Sequence, residues 1–439
     1  MILSIDIETY SSVNLLKTGV YPYIASPDFQ ILMLAYSIDG GPVGVIDMTC
    51  KPLHKWLIAS LTNPNHIKTA WNAAFERLCL SKHLGIELPV EQWDCTMVRA
   101  ARAGYPLQLG QAAKAMGLDQ EKDTAGKALI KYFSVPCTPT KKNGGRTRNM
   151  PSDDPEKWAQ YIEYNRQDVV VEMAIRDRVI DIPVTEFEQR LYCLDQKIND
   201  TGILVDVNLA TNAIQIQESY VSQITQEAIS ITGLDNPNSV KQLSSWLNEN
   251  GQEVEKLRKE DVSEMLSSKE LAAEVRRILQ IRQEASKSSV KKYEAMLAYI
   301  GADNRVRGLF QFYGANRTGR WAGRGIQLQN LPQNHLDHIE LAREVVKEND
   351  EELLHMLWKS VPDTLSQLIR TALIPKEGHV LIISDFSAIE ARVIAWLAGE
   401  QWRLDVFATH GKIYEASASK MFNVPIEQIT KGSDLRQKR

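Results

Sequence analysis

The chain has 439 residues and a mass of 49.6 kDa, beyond the size at which one hydrophobic core usually suffices, so two or three domains are expected. With 44% apolar and 24% charged residues it is neither a disordered nor a collagen-like polymer. A net charge of −4 gives no overall attraction for a polyanion, so any such attraction must be local. Arg305, Arg307, Arg317, Arg320 and Arg324 supply a local one, because residues 305–324 contain no Asp or Glu, and the cluster reads as a phosphate-facing surface. The five cysteines, at 50, 79, 95, 137 and 193, have no paired spacing, which points to a reduced, cytoplasmic protein without a zinc knuckle. No stretch of 18 residues is free of charge and no basic run precedes an apolar N-terminal segment, so neither a membrane span nor a signal peptide is expected.

In chain order, MILSIDIETY predicts a strand whose i and i+2 side chains share a face, so that Asp6 and Glu8 point the same way. Residues 30–38 and 41–48 predict neighbouring strands across a Gly-Gly turn, and 66–71 a further short strand leading into a helix at AAFERLCLSKHLG. Helical spacing recurs at 107–117 and 156–178, and 137–155 is a flexible loop. Strands mixed with helices over residues 1–182 indicate an α/β domain. From 184 to about 300 helix follows helix, broken at Thr201-Gly-Ile. A Gly- and Arg-rich segment of little helical period then precedes a helix over 336–358, a buried strand ending in Asp385, and a helix from about Ala388.

Four carboxylates stand out: Asp6 and Glu8 on one strand face, Glu76 after Asn-Ala-Ala-Phe, and Asp168 after Tyr-Asn-Arg-Gln. Hard divalent cations require clustered carboxylate oxygens, and two ions roughly 4 Å apart can clamp the attacking and leaving oxygens of a phosphodiester. The motifs Asp6-Ile-Glu8-Thr9, Asn72-Ala-Ala-Phe-Glu76 and Tyr164-Asn-Arg-Gln-Asp168 together resemble the DnaQ-like proofreading exonucleases of the RNase H fold. That resemblance implies that Asp6, Glu8, Glu76 and Asp168 hold two Mg²⁺ or Mn²⁺ ions, with Tyr164 orienting the attacking water. The second motif of such exonucleases usually ends in Asp, and the extra methylene of Glu76 moves its carboxylate by about one ångström, a distance that matters to positioned chemistry. Trp71, Phe75 and Phe133 are candidates for stacking unpaired bases.

Residues 190–439 resemble the polymerase part of family A DNA polymerases of the phage and prophage type. The resemblance runs through Asp195–Asp206, residues 236–247 and 287–293, Thr318-Gly-Arg320, Gln329-Asn330-Leu-Pro, and Asp385-Phe-Ser-Ala-Ile-Glu390-Ala-Arg392. It implies that Ser288, Lys291 and Lys292 touch duplex backbone, and that Arg317, Arg320, Gln329 and Asn330 contact DNA near the primer terminus. Asp385 would be a catalytic metal ligand, while Glu390 and Arg436 would take part in nucleotide selection. The expected fold is therefore an RNase H-like mixed α/β sheet with helices (1–182), a helical thumb (183–302) and a partial α+β palm (303–439). Expected partners are a primer–template duplex, a single-stranded 3′ end and, for the complete enzyme, deoxynucleoside triphosphates, with no membrane partner. The family continues from Arg436 into a fingers helix and a second palm Asp, so a missing C-terminal polymerase fragment is a further expected partner. Metal-dependent 3′-to-5′ hydrolysis is then the chemistry the chain completes alone. The alternative is a non-catalytic DNA-binding remnant or a subunit of a split polymerase.

Overall fold

Alternation along ILSIDIETY sends Leu3, Ile5 and Ile7 to one side of a pleated strand and Ser4, Asp6 and Glu8 to the other. In the computed structural model, which describes residues 1–118, 124–254, 256–268, 270–285, 290–315, 317–430 and 432–437, this strand, β1 (Ile2–Tyr10), is the middle of a mixed five-stranded sheet. β2 (Gln30–Ile38) lies antiparallel to β1, and β3 (Gly44–Asp47) antiparallel to β2. On the other edge β4 (Ile67–Ala70) runs parallel to β1, and β5 (Trp93–Cys95) parallel to β4. Leu3, Ile5 and Ile7 pack in a core with Leu57, Leu61, Leu80 and Trp93. A separate cluster joins Tyr10, Leu32 and Met33 to Leu129, Phe133, Trp158 and Tyr161.

The helix Pro155–Arg178 packs on β1 and β2. Its start is fixed by Asp154, whose side chain accepts from the Lys157 amide, and by Pro155 at the first helical position, where no amide hydrogen is needed. Tyr161, Asn165, Asp168 and Glu172 follow one another at three- and four-residue intervals, so they share the face turned to the sheet.

From Glu186 to about residue 300 the chain is largely helical, as the spacing predicts. The 26-residue helix Val207–Thr232 begins at Asp206, whose carboxylate accepts from the Leu209 amide, and ends at left-handed Gly233. Leu209, Ala213, Ile216, Tyr220 and Ile224 form its buried stripe, and Ala273–Ala285, Lys291–Ala298, Ile339–Lys347 and Val361–Leu368 pack around it. A three-stranded sheet, β6 (Ile203–Val205) between β7 (Arg305–Val306) and β10 (Leu373–Ile374), closes the base of this bundle. A hairpin of β8 (Phe310–Ala315) and β9 (Arg320–Gly323) occupies the Gly- and Arg-rich segment.

The chain divides into two compact units, Met1–Glu377 and Gly378–Arg439. Two expectations are corrected. The single helix over 336–358 is two, Ile339–Lys347 and Glu351–Leu357, because Asn349 turns left-handed (φ 57°) and Asp350 caps the next helix by accepting from the Leu353 amide. The buried strand before Asp385 does not form: Val380, Leu381, Ile382 and Ile383 are 80, 47, 91 and 91% exposed. A strand persists only when neighbours take its backbone groups and cover its faces, and Gly378–Arg439 contains no other strand among the described residues. The second unit instead builds its core from helices, around Ala395, Phe407, Ile413 and Ala418. No helix of the described residues is long and apolar enough to cross a membrane.

Candidate metal centre

The sheet brings Asp6 and Glu8 from β1 against Asp168 from the Pro155–Arg178 helix, and ligand oxygens of all three lie within 4.8 Å of one another. Asn165 Nδ2 donates to Asp6 Oδ2 at 2.6 Å, and the Tyr161 hydroxyl donates to Glu8 Oε2 at 2.5 Å. Tyr161 is itself braced by Ser134 Oγ at 2.7 Å and stacks on Phe133, with centroids 5.6 Å apart. The Tyr164 hydroxyl is hydrogen-bonded to Asp168, and its ring stacks on Tyr161 at 6.2 Å.

Glu76 comes from the first turn of the helix Ala74–Leu84, which follows β4 through left-handed Asn72 (φ 67°). It is 3% exposed, its charge acts on Asp6 and the charge of Glu8 acts on it, yet its carboxylate does not join the 4.8 Å set, and its Oε2 has no hydrogen-bond partner. The oxygens, all hard donors, fit a divalent cation such as Mg²⁺, Mn²⁺ or Ca²⁺. Asn165 Oδ1, fully buried and unpartnered beside Asp6, adds to that fit.

Electrostatics give the same reading. Burial first, then the charges of Asp168, Glu8 and Glu76, push the Asp6 carboxyl well above the usual range. Burial pushes Glu8 up to about 8, against the donation from Tyr161 and with the charge of Asp168. Burial and then the charge of Asp168 raise the Tyr164 phenol as well.

The sequence reading gives no role to the residues that hold these groups in place, although Asn165 stands inside the third motif. Asn165 and Tyr161 sit three and seven positions before Asp168, a spacing that puts them on its helical face once the helix is assigned. Gly126, in the helix Thr124–Phe133, meets the Tyr164 ring so closely that an added Cβ would stand 2.2 Å from Cε2. An isolated Gly inside a helical pattern was its signal. Phe133 is 1% exposed in the aromatic core, which corrects its assignment as a base-stacking residue. Trp71 and Phe75 line a cavity of about 530 Å³ with Tyr192, Asp195 and Phe312.

The residues expected to touch DNA are differently placed. Ser288 lies outside the described residues. Lys291 is exposed, whereas Lys292 donates to the Ile326 carbonyl at 2.7 Å. Arg317 and Arg320 are exposed on the β8–β9 hairpin, and exposed Gln329 lies over Gly323 while exposed Asn330 donates to Gln327 Oε1. The arginine cluster is divided: Arg305 donates to the Gly202 carbonyl, and Arg307 pairs with Asp303 at 2.6 Å while donating to the Asp200 carbonyl. In the second unit Asp385 is exposed, Glu390 is exposed in the first turn of Ile389–Leu397, and Arg436 pairs with Glu415 at 2.8 Å.

The model of DNA polymerase family A matches residues 208–439. The DNA polymerase of Bacillus phage SP02 is 54% identical over 438 residues, spanning 99% of this chain and 67% of that protein. This chain belongs to DNA polymerase family A. The DNA polymerase I of Lactococcus lactis subsp. lactis is 26% identical over 248 residues, which is 55% of this chain and 25% of that protein. The POL domain of Pol1 from M. smegmatis, solved in complex with DNA primer-template and dNTP, has a similar fold: TM-score 0.57 at 17% identity, covering 98% of this chain and 66% of that one. This family A chain thus spans about two thirds of the phage relative's length. The polymerase match begins beyond the acidic cluster, which lies wholly in the preceding α/β part.

Because Glu8 titrates near 8 in the fold and near 4.5 when unfolded, the metal-free folded chain binds more protons than the unfolded chain across that window. Metal-free stability therefore falls as pH rises from about 5 to 8, by an amount on the order of a few kcal/mol, and Glu8→Gln flattens the decline. A cation binds the ionised carboxylates, so the Mn²⁺-induced rise in Tm should be larger at pH 8 than at pH 5. Thermal melts with and without Mn²⁺ at the two pH values check this, and equal rises would contradict it.

Proposed function

We propose that the α/β part of this family A polymerase removes nucleotides from the 3′ end of DNA by metal-dependent hydrolysis. The observation that carries the reading is the convergence of Asp6, Glu8 and Asp168, with Tyr164 hydrogen-bonded to Asp168 beside them. In this reading residues 1–182 are an RNase H-like exonuclease domain, 183–302 a thumb and 303–439 a partial palm. The sheet order β3-β2-β1-β4-β5, with its acidic strand in the middle, supports the first of these.

Asp6, Glu8, Asp168 and Glu76 would hold two Mg²⁺ or Mn²⁺ ions, which when bound activate water and stabilise charge on the phosphodiester oxygens. Tyr164 supplies orientation: its raised pKa keeps the phenol protonated at neutral pH, so it positions water as a hydrogen-bonding group and does not act as a base. Tyr161 and Asn165 fix the directions of the Glu8 and Asp6 carboxylates by hydrogen bonds.

DNA is the proposed substrate of both halves. Lys291, Lys292, Arg317, Arg320, Gln329 and Asn330, with Ser288, are proposed to contact the primer–template. Asp385, Glu390 and Arg436 are proposed to serve metal binding and nucleotide selection with deoxynucleoside triphosphates in the whole enzyme. Hydrolysis at the Asp6, Glu8 and Asp168 centre is the chemistry proposed for residues 1–439 by themselves.

A 5′-labelled single strand incubated with the chain and Mg²⁺ should give a ladder shortening from the 3′ end. Asp6→Ala should slow this roughly a hundred- to a thousand-fold or more. Undiminished digestion would place the activity elsewhere. Gly126→Ala should lower the rate at least about tenfold although Ala is the better helix former by roughly 1 kcal/mol, because the new methyl displaces Tyr164. In a Tyr164→Phe background the same change should cost little more, and a fully additive loss would show that Gly126 acts by another route.

A further inference from the structure

Glu172 lies one helical turn beyond Asp168 on the face turned to the sheet, and it is 2% exposed. One carboxylate oxygen accepts from Thr96 Oγ1, and Thr69 on β4 adds a second hydroxyl contact. The other oxygen, Oε2, is buried without a hydrogen-bond partner, and so is Oε2 of Glu76. Among side-chain charges, Glu172 acts on Glu76 more strongly than Glu8 does.

Two buried, unpaired carboxylate oxygens whose charges act on each other are costly unless protons or a cation offset them. Among the described residues no cation bonds to either free oxygen. Arg176, four residues on, acts on Glu172 through its charge, directs its Nη2 to Asp94 at 3.4 Å and keeps its own buried Nε without a partner. Lys68, buried on β4, donates to the Asn63 carbonyl and to Gln92 Oε1. Asn165 Oδ1 is a third buried acceptor without a donor, on a side chain already fixed to Asp6. The longer side chain of Glu76 also falls outside the Asp6–Glu8–Asp168 set.

We propose that Glu172 is a further metal ligand, which with Glu76 forms the position of the second divalent ion, while Asp6, Glu8 and Asp168 hold the first. This rests on the metal-dependent reading above and adds to it a ligand that the exonuclease motifs do not contain. It also gives the Asp-to-Glu change in the second motif a physical reason: the extra methylene lets residue 76 reach toward residue 172.

The test is Mn²⁺ binding by the full chain, counted by the loss of the free-ion electron paramagnetic resonance signal. The wild type should bind two ions. Glu172→Gln should keep one with affinity within about threefold and weaken the other at least tenfold, Glu76→Gln should do the same, and Asp6→Asn should weaken the first at least tenfold. Because removing a buried anion does not weaken the metal-free fold, Glu172→Gln should match or exceed the wild type in urea without metal. Should Glu172→Gln fail to fold, Glu172→Asp retracts the carboxylate with its charge retained, and should still weaken the second ion tenfold. Unchanged binding of both ions by the folded variant overturns the proposal. A wild type that binds one ion, lost in Asp6→Asn and kept in Glu172→Gln, overturns it and leaves the hydrolytic reading standing. A wild type that binds none overturns both.

Discussion

Carboxylates held within 4.8 Å of one another repel, and protons, hydrogen-bond donors or cations must offset that cost. The centre at Asp6 uses donors only in part: Asn165 serves Asp6, Tyr161 serves Glu8, and Tyr164 serves Asp168. The remaining cost shows as the upward pKa shifts of Asp6, Glu8 and Glu76. A site strained this way when metal-free is one that divalent ions relieve, so ion affinity and carboxylate crowding have one origin.

The rest of the α/β part keeps the crowded groups from moving apart. β1 is paired with β4 at Ile2–Ser4 and with β2 through Asp6 and Glu8 themselves, so these two cannot diverge without breaking the β1–β2 ladder. The Pro155–Arg178 helix is held to it by the packing of Phe133, Trp158 and Tyr161, and Tyr161 belongs both to that core and to the site. Gly126 lets a neighbouring helix approach the Tyr164 ring closely enough to fix its orientation. The contacts that support the helix therefore also aim the site.

Much of this centre was legible in the sequence, because period-two alternation puts Asp6 and Glu8 on one face and helical spacing anchors Asp168. Family resemblance joined Glu76 and Asp168 to Asp6 and Glu8 as ligands and added Tyr164. The sequence could not show that Glu76 stands apart from the other three, since that depends on where β4 ends and the next helix begins. In the sequence Glu172 is one acid among many on a long helix; what sets it apart is burial beside Thr96, 76 residues away in the chain. The arginine cluster misled in part, because composition cannot distinguish an exposed Arg317 from an Arg307 already paired with Asp303. In the same way Val380–Ile383 have the composition of a buried strand, but pairing with other strands is a property of the assembled fold.

The most direct test of the account is a crystal structure grown with Mn²⁺ and read by anomalous scattering at the manganese edge. The account predicts a peak coordinated by Asp6, Glu8 and Asp168 together. Manganese bound elsewhere on the chain, with these three carboxylates in place and no peak among them, would contradict the claim that the acidic cluster is a metal centre.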